Sequence, residues 1–248
     1  MSIFSYVTIT VEETGESYDS LTDWGLYLSN NNYIGSPEEQ TDFINIKGKN
    51  GLLDITEALT GHRSYSSREI RIEFGGVKDA KRWDDAMSDF RNKIDGKIIR
   101  VIFSNQFDYF WRGRCHLEDF DRMCGLGTFT LSIPYADPYK YSVETFNEDW
   151  LWSPFDFETD EVHYKTTHNI TTQETVVIPA GKRPVVPVVT VTELNTTLTV
   201  QKGNNGRIIR LSMGANELPQ IMVNGPEETT LIFKGNATFE VNFRGASL

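Results

Sequence analysis

The stretch Ile46–Phe74, IKGKNGLLDITEALTGHRSYSSREIRIEF, decides how the rest of the chain is read. It opens on Gly48-Lys49-Asn50-Gly51, a glycine-flanked turn, and runs into a small apolar patch of Leu52, Leu53 and Ile55. After a polar connector it closes on Glu69-Ile70-Arg71-Ile72-Glu73-Phe74. Strict alternation of apolar and polar residues is the mark of a strand with one face buried and the other wet. Ile70, Ile72 and Phe74 are therefore predicted to face a core. Gly48 and Gly51 are predicted to supply backbone geometry that other residues resist. Neither a cofactor motif nor a nucleophile stands on the stretch.

Toward the N-terminus, Ile3–Val11 alternates weakly and reads as an edge strand or a terminal arm. Residues 15–45 are polar, interrupted by the alternating Trp24, Leu26 and Leu28 and by Phe43, Ile44 and Ile46, which suggests short β pieces in extended loops. Toward the C-terminus, Gly75-Gly76 breaks the pattern and the period lengthens. Trp83, Met87, Phe90 and Ile94 fall within about 60° of arc at about 100° per residue, the stripe of a helix packed on a sheet. One helix over about 77–95 is predicted, with Gly96 as its C-terminal cap.

Lys97–Tyr135 then reads as a three-stranded meander. Ile99, Val101 and Phe103 share a face of its first strand. Tyr109, Trp111, Gly113, Cys115 and Leu117 share a face of the second, and Phe129, Leu131, Ile133 and Tyr135 a face of the third. The run Pro134–Tyr141, with its two prolines, makes a poor strand interior and a good boundary. Residues 142–161 form a linker that mixes acids with Phe146, Trp150, Trp152, Phe155 and Phe157. Beyond it, in residues 162–248, only strands appear, punctuated by Gly203-Asn204-Asn205-Gly206, Asn224-Gly225 and Gly235-Asn236, which reads as hairpin chemistry. Val185–Val191 is apolar on both faces and suits a central strand. The predicted fold class is mainly β: an α+β N-terminal domain over residues 1–141, with one helix on an antiparallel sheet, and a C-terminal β-sandwich or jelly roll.

Charge and composition exclude several roles. The formal net charge is −11, with 16 basic against 22 acidic residues up to Ser142 and 8 against 13 beyond it. Both halves are acidic, so neither suits phosphate neutralisation or an anionic membrane. No run approaches the roughly 20 apolar residues that span a bilayer, and residues 1–17 lack the charge and apolar core of a secretory signal. Cys115 and Cys124 read as free thiols, a local cross-strand bridge being the alternative. His62, His116, His163 and His168 form no paired metal-binding spacing. No nucleophile elbow or phosphate loop occurs. Glu118, Asp119 and Asp121 at a hairpin tip, and Asp84 and Asp85 on a helix surface, lack the enclosed cleft of a glycosidase pair. An enzyme, a metal and a cofactor are thus not expected. Trp150 and Trp152 are candidates for stacking on sugar rings, although burial against the sandwich suits such side chains better.

The turn and patch Gly48–Thr56, the strand with Arg68, Ile70, Ile72 and Phe74, the helix with Trp83 and Phe90, and the terminal Asp137–Tyr141 follow one another at telling intervals. In that succession the chain resembles the distal tail (Dit) proteins of long-tailed, non-contractile phages of Gram-positive bacteria. The resemblance implies a virion structural protein, made in the host cytoplasm and placed at the tail tip. It implies a homo-hexameric ring formed by the N-terminal domain and a galectin-like or jelly-roll second domain. It also implies partners: the tail tube protein, a tail-tip or tail-associated lysin protein, and receptor-binding or baseplate proteins. DNA would cross the central channel without specific binding, and no membrane would be entered. Gly48, Lys49, Asn50, Gly51 and Arg68 are the expected subunit-contact residues, because closed rings are built from extended arms and head-to-tail contacts. The alternative is a carbohydrate-binding β-sandwich or an accessory of a cell-wall hydrolase, with Trp150 and Trp152 as its stacking platform.

Overall fold

A computed structural model describes residues 5–58, 61–76, 80–123, 126–145 and 166–248. The chain is mainly β and divides into two compact units, Met1–Lys140 and Tyr141–Ser247. In chain order the first unit contains β1 (Val7–Val11), β2 (Ser17–Asp19), α1 (Ser20–Trp24), β3 (Leu26–Leu28), β4 (Tyr33–Ile34), β5 (Glu39–Gln40), β6 (Phe43–Asn45), β7 (Leu52–Asp54) and β8 (Ser64–Tyr65). It continues with β9 (Arg68–Gly76), α2 (Ala80–Ile94), β10 (Ile98–Phe103), β11 (Gln106–Arg114), β12 (His116–Met123) and β13 (Leu126–Ala136).

Two sheets face each other in this unit. One runs β2-β1-β10-β11 and the other β12-β13-β9, with β3 and β4 both on the free side of β9. Ile70, Ile72 and Phe74 are fully buried, as the alternation of β9 requires. They meet Val7, Ile9 and Val11 of β1 and Leu131 and Ile133 of β13 in one apolar core. From α2, Phe90 enters this core among Trp24, Phe74 and Phe129 with ring centroids 4.6, 6.0 and 5.2 Å away. Tilted and edge-on ring pairs of this kind add to the area they bury. Gly96, at φ +75°, ends the helix in the left-handed conformation that glycine tolerates. The side chain of Trp83 and residues 77–79 lie outside the described set.

Three expectations are corrected here. Val7–Val11 is no edge: it pairs with β10 on one side and β2 on the other. Trp24 belongs to a short helix rather than a strand. Asp19 caps that helix by accepting from the backbone N–H groups of Leu21 and Thr22, while Asp23 accepts from the N–H of Asp19, and Gly25 closes the other end at φ +69°. The expected three-strand meander is four strands split between two sheets. The chain leaves the first sheet after Arg114 and enters the second at His116. Alternation cannot reveal this, because a strand that bends through one residue into another sheet keeps its rhythm. The free thiol of Cys115 sits at the bend, buried, donating to the carbonyl of Ile94 at 3.0 Å. Glu118, Asp119 and Asp121 accordingly lie within β12 and not at a hairpin tip.

Tyr135 also departs from the reading. It is 79% exposed, whereas Ala136 is fully buried. A bulge between Ile133 and Ala136 opposite β9 shifts the register, and an inserted residue exchanges inward and outward positions beyond it. Gly113 faces this bulge from β11. A Cβ there would stand 2.4 Å from Ile133 Cγ2 and 2.9 Å from Ala136 Cα, so the approach of the two sheets needs glycine.

The second unit carries most of β14 (Lys140–Ser142), then β15 (His168–Ile170), β16 (Gln173–Ile178), β17 (Val188–Leu194), β18 (Leu198–Lys202) and β19 (Ile209–Leu211). It ends with β20 (Gly214–Glu217), β21 (Thr229–Lys234), β22 (Ala237–Asn242) and β23 (Ala246–Ser247). Sheets β15-β22-β17-β20 and β16-β21-β18-β19 form a sandwich. Phe233 of one sheet stacks on Phe239 of the other at 4.2 Å. Gly203–Gly206 joins the paired β18 and β19, and β17 lies interior, between β22 and β20. Gly235-Asn236 differs from a hairpin turn, since β21 and β22 belong to different sheets. Asn224-Gly225 sits in the loop between β20 and β21, where Gly181 N–H donates to the Gly225 carbonyl.

Candidate functional site

Between β4 and β9 the chain leaves the first unit as a ribbon. It departs at Gly35, whose N–H donates to the Glu69 carbonyl at 2.8 Å, and returns at Arg68. Two short pairs carry the ribbon outward: β5 with β8, then β6 with β7. Side chains reinforce it. Ser66 accepts from the N–H of Glu38, Thr56 accepts from the N–H of Asp42, and Arg63 pairs with Glu39 and Glu57 at 3.4 and 3.1 Å.

At its far end Lys49 N–H donates to the Ile46 carbonyl, with Gly48 and Gly51 at φ +86° and +81°. The glycines are thus in the conformation for which the sequence kept them. Gly48, Lys49, Asn50 and Gly51 are all exposed. So are the apolar side chains beside them. Phe43, Ile44, Ile46 and Leu52 keep between 41 and 62% of their surface in water. Four large apolar groups on one narrow ribbon exceed the scatter of single exposed hydrophobics on an ordinary surface.

Arg68, expected beside that turn, is elsewhere. It is only 6% exposed and lies at the base of the ribbon, its guanidinium 4.5 Å from the centre of the Trp111 ring. It donates to the carbonyl of Pro138, and burial lowers its pKa. Tyr65 packs edge-on against Tyr139 at 6.0 Å, and Asp137 pairs with Arg112 at 3.3 Å. The Asp137–Lys140 run thus braces the root of the ribbon, a role that two prolines and a boundary reading did not suggest.

A polar concavity of ≈ 470 Å³ opens beside the same root, on the outer face of β9. Asn31, Tyr33, Glu69, Arg71, Glu73, Glu118 and Thr130 line it. Glu69 is engaged by Arg71 at 2.7 Å. Glu73 accepts from Ser29 Oγ at 2.7 Å and from Asn31. Glu118 is exposed, and no hydrogen bond to its carboxylate is recorded among the described residues. Sequence reasoning passed over this site, although the outward positions of the alternating strand, Glu69, Arg71 and Glu73, were its signal.

Other candidates do not assemble into chemistry. His168 Nδ1 lies 2.8 Å from Glu174 Oε1 and its ring stacks on Phe239, a half-buried pair of the second unit. Among the described residues no group of three or more His, Cys, Asp or Glu side chains is arranged to hold a metal. Trp150, Trp152, His163 and Cys124 lie outside the described residues, as does residue 146 onward of the aromatic linker.

The architecture is that of a mainly β protein in which a two-sheet unit with a projecting ribbon precedes a β-sandwich. No protein-family model and no curated protein matches the chain. Among solved structures it is similar to the Dit protein (gp 19.1) of phage SPP1, described as a paradigm of the hub adsorption apparatus in phages infecting Gram-positive bacteria. The likeness covers 98% of this chain and 99% of that one, at a TM-score of 0.54 and 14% identity. The chain therefore has a Dit-like fold from end to end.

Proposed function

We propose that this protein is a structural component of a phage tail tip: a Dit-like hub in which copies of the first unit close into a hexameric ring. The observation that carries the reading is the correspondence of fold over the whole chain with SPP1 Dit, both units included. The ribbon supports it independently. An exposed apolar arm is a liability on a lone molecule, and a head-to-tail contact with the next copy covers it. Gly48–Gly51 then makes the contact, while Arg68 braces the arm from within. In this role the ring joins the tail tube to tail-tip, baseplate and receptor-binding proteins, and DNA passes through its centre. A net charge of −11 suits a conduit, since clustered cations would retain the phosphates. No catalytic step belongs to this function.

The test is light scattering together with negative-stain imaging of the purified chain. The expected result is a concentration-dependent hexamer that appears as a ring with a central hole. A monomer at every concentration would count against the proposal.

A further inference from the structure

The arm has a far end and the body has a concavity, and the two are chemically complementary. The end carries Lys47 and Lys49 with no acidic residue between Asp42 and Asp54, and both lysines are exposed and form no ion pair among the described residues. Ile46 and Leu52 flank them, 41% and 62% exposed. The concavity carries Glu69, Glu73 and Glu118 against a single cation, Arg71, which is already held by Glu69. The exposed ring of Tyr33 forms its apolar rim.

The two parts do not meet within one chain. Every residue from Glu38 to Leu52 is exposed, so the end of the arm rests on nothing of its own body. The concavity lies instead at the arm's root, beside the point where the ribbon departs. A donor end and an acceptor root on the same molecule are the two halves of a heterologous contact, the kind that propagates from copy to copy and closes when the rotation permits.

We infer that the Ile46–Leu52 end of one copy docks into the concavity of the next. Lys47 and Lys49 face Glu118 and Glu73, and Ile46 and Leu52 cover the rim at Tyr33. This rests on the ring reading and specifies which surfaces meet in it. Glu118 is the exposed acceptor, its carboxylate without a hydrogen bond among the described residues, and Glu73 keeps its bonds to Ser29 and Asn31. The apolar flank supplies affinity and the charges fix register.

Zero-length carbodiimide coupling of the full chain tests this. Equal amounts of unlabelled and ¹⁵N-labelled protein are mixed, so that peptides joined between copies are recognised by mass. Lys47 or Lys49 joined to Glu118, Glu73 or Glu69 in mixed-label pairs is the expected product. A paired variant adds a second reading. Lys47→Glu with Lys49→Glu should weaken assembly at least tenfold, and adding Glu118→Lys should restore part of the loss. Oligomers whose lysines couple elsewhere, or that tolerate the lysine reversal, overturn the docking and leave the ring reading intact. Absence of any oligomer overturns both.

Discussion

Glu12 shows how one carboxylate ties a sheet together. It accepts from Arg100 Nε and Arg112 Nε, each at 2.8 Å, and from Arg112 Nη2 at 2.9 Å, joining β1 to β10 and β11. Burial alone raises its pKa, but hydrogen bonds and charge from Arg112 and Arg100 outweigh it, and the net shift is downward. A carboxyl with a depressed folded pKa contributes stability above its unfolded pKa of about 4.3 and loses it as the pH falls through the folded value. Glu12→Gln should therefore lower stability at pH 7 by about 1–2 kcal/mol, the low end for charge-assisted bonds because the arginine heads are partly exposed. Denaturant titrations should show that gap closing below about pH 4. Cys115 gives a second test at this scale. Burial pushes its thiol up to about 12, and the thiolate is the reactive form. Alkylation mapped by mass spectrometry should spare Cys115 in the native protein and reach it once the chain is unfolded.

At the scale of elements, β11 and β13 approach closely at Gly113. Gly113→Ala places a methyl group inside the contact distance of Ile133 and Ala136. Overpacking of this sort should cost about 1–3 kcal/mol, visible as a lower denaturation midpoint with an unchanged slope. The elements also show what the sequence makes legible. Strand β9, helix α2 and the hairpin at Gly203–Gly206 are all set by local pattern, and each stands where its periodicity or turn chemistry put it. What failed was non-local. The switch of sheets at Cys115 keeps the rhythm of alternation while changing the partner, and the bulge before Ala136 keeps the partner while exchanging inward and outward positions. Helix α1 was hidden by its length, although Asp19, Asp23 and Gly25 are capping residues in their proper places.

For the whole molecule, the mainly β character follows from the pattern of strands, whereas the concavity does not. Tyr33, Glu118 and Glu73 are brought together by three different strands, and no spacing in the chain announces it. Predictions about assembly belong here. Phe43→Ser with Leu52→Ser should leave the unfolding free energy of the chain within about 0.5 kcal/mol, as for other exposed positions. The same pair should abolish the ring in negative-stain images. If the ring persists, the arm is not what holds it. Assembly should also weaken as salt rises, by the share that the lysine end contributes, because exposed ion contacts are screened within about 10 Å at 0.1 M.

The pairing of Val7–Val11 with Ile98–Phe103 sets a schedule for biosynthesis. The strand is made before β10, and the edge it turns toward β10 has no partner until the chain has grown to Ile98–Phe103. At about 5–20 residues per second, elongation through that interval takes on the order of 5–20 s, far longer than the microseconds in which a hairpin forms. The nascent chain thus carries an adhesive strand through most of the making of its first unit.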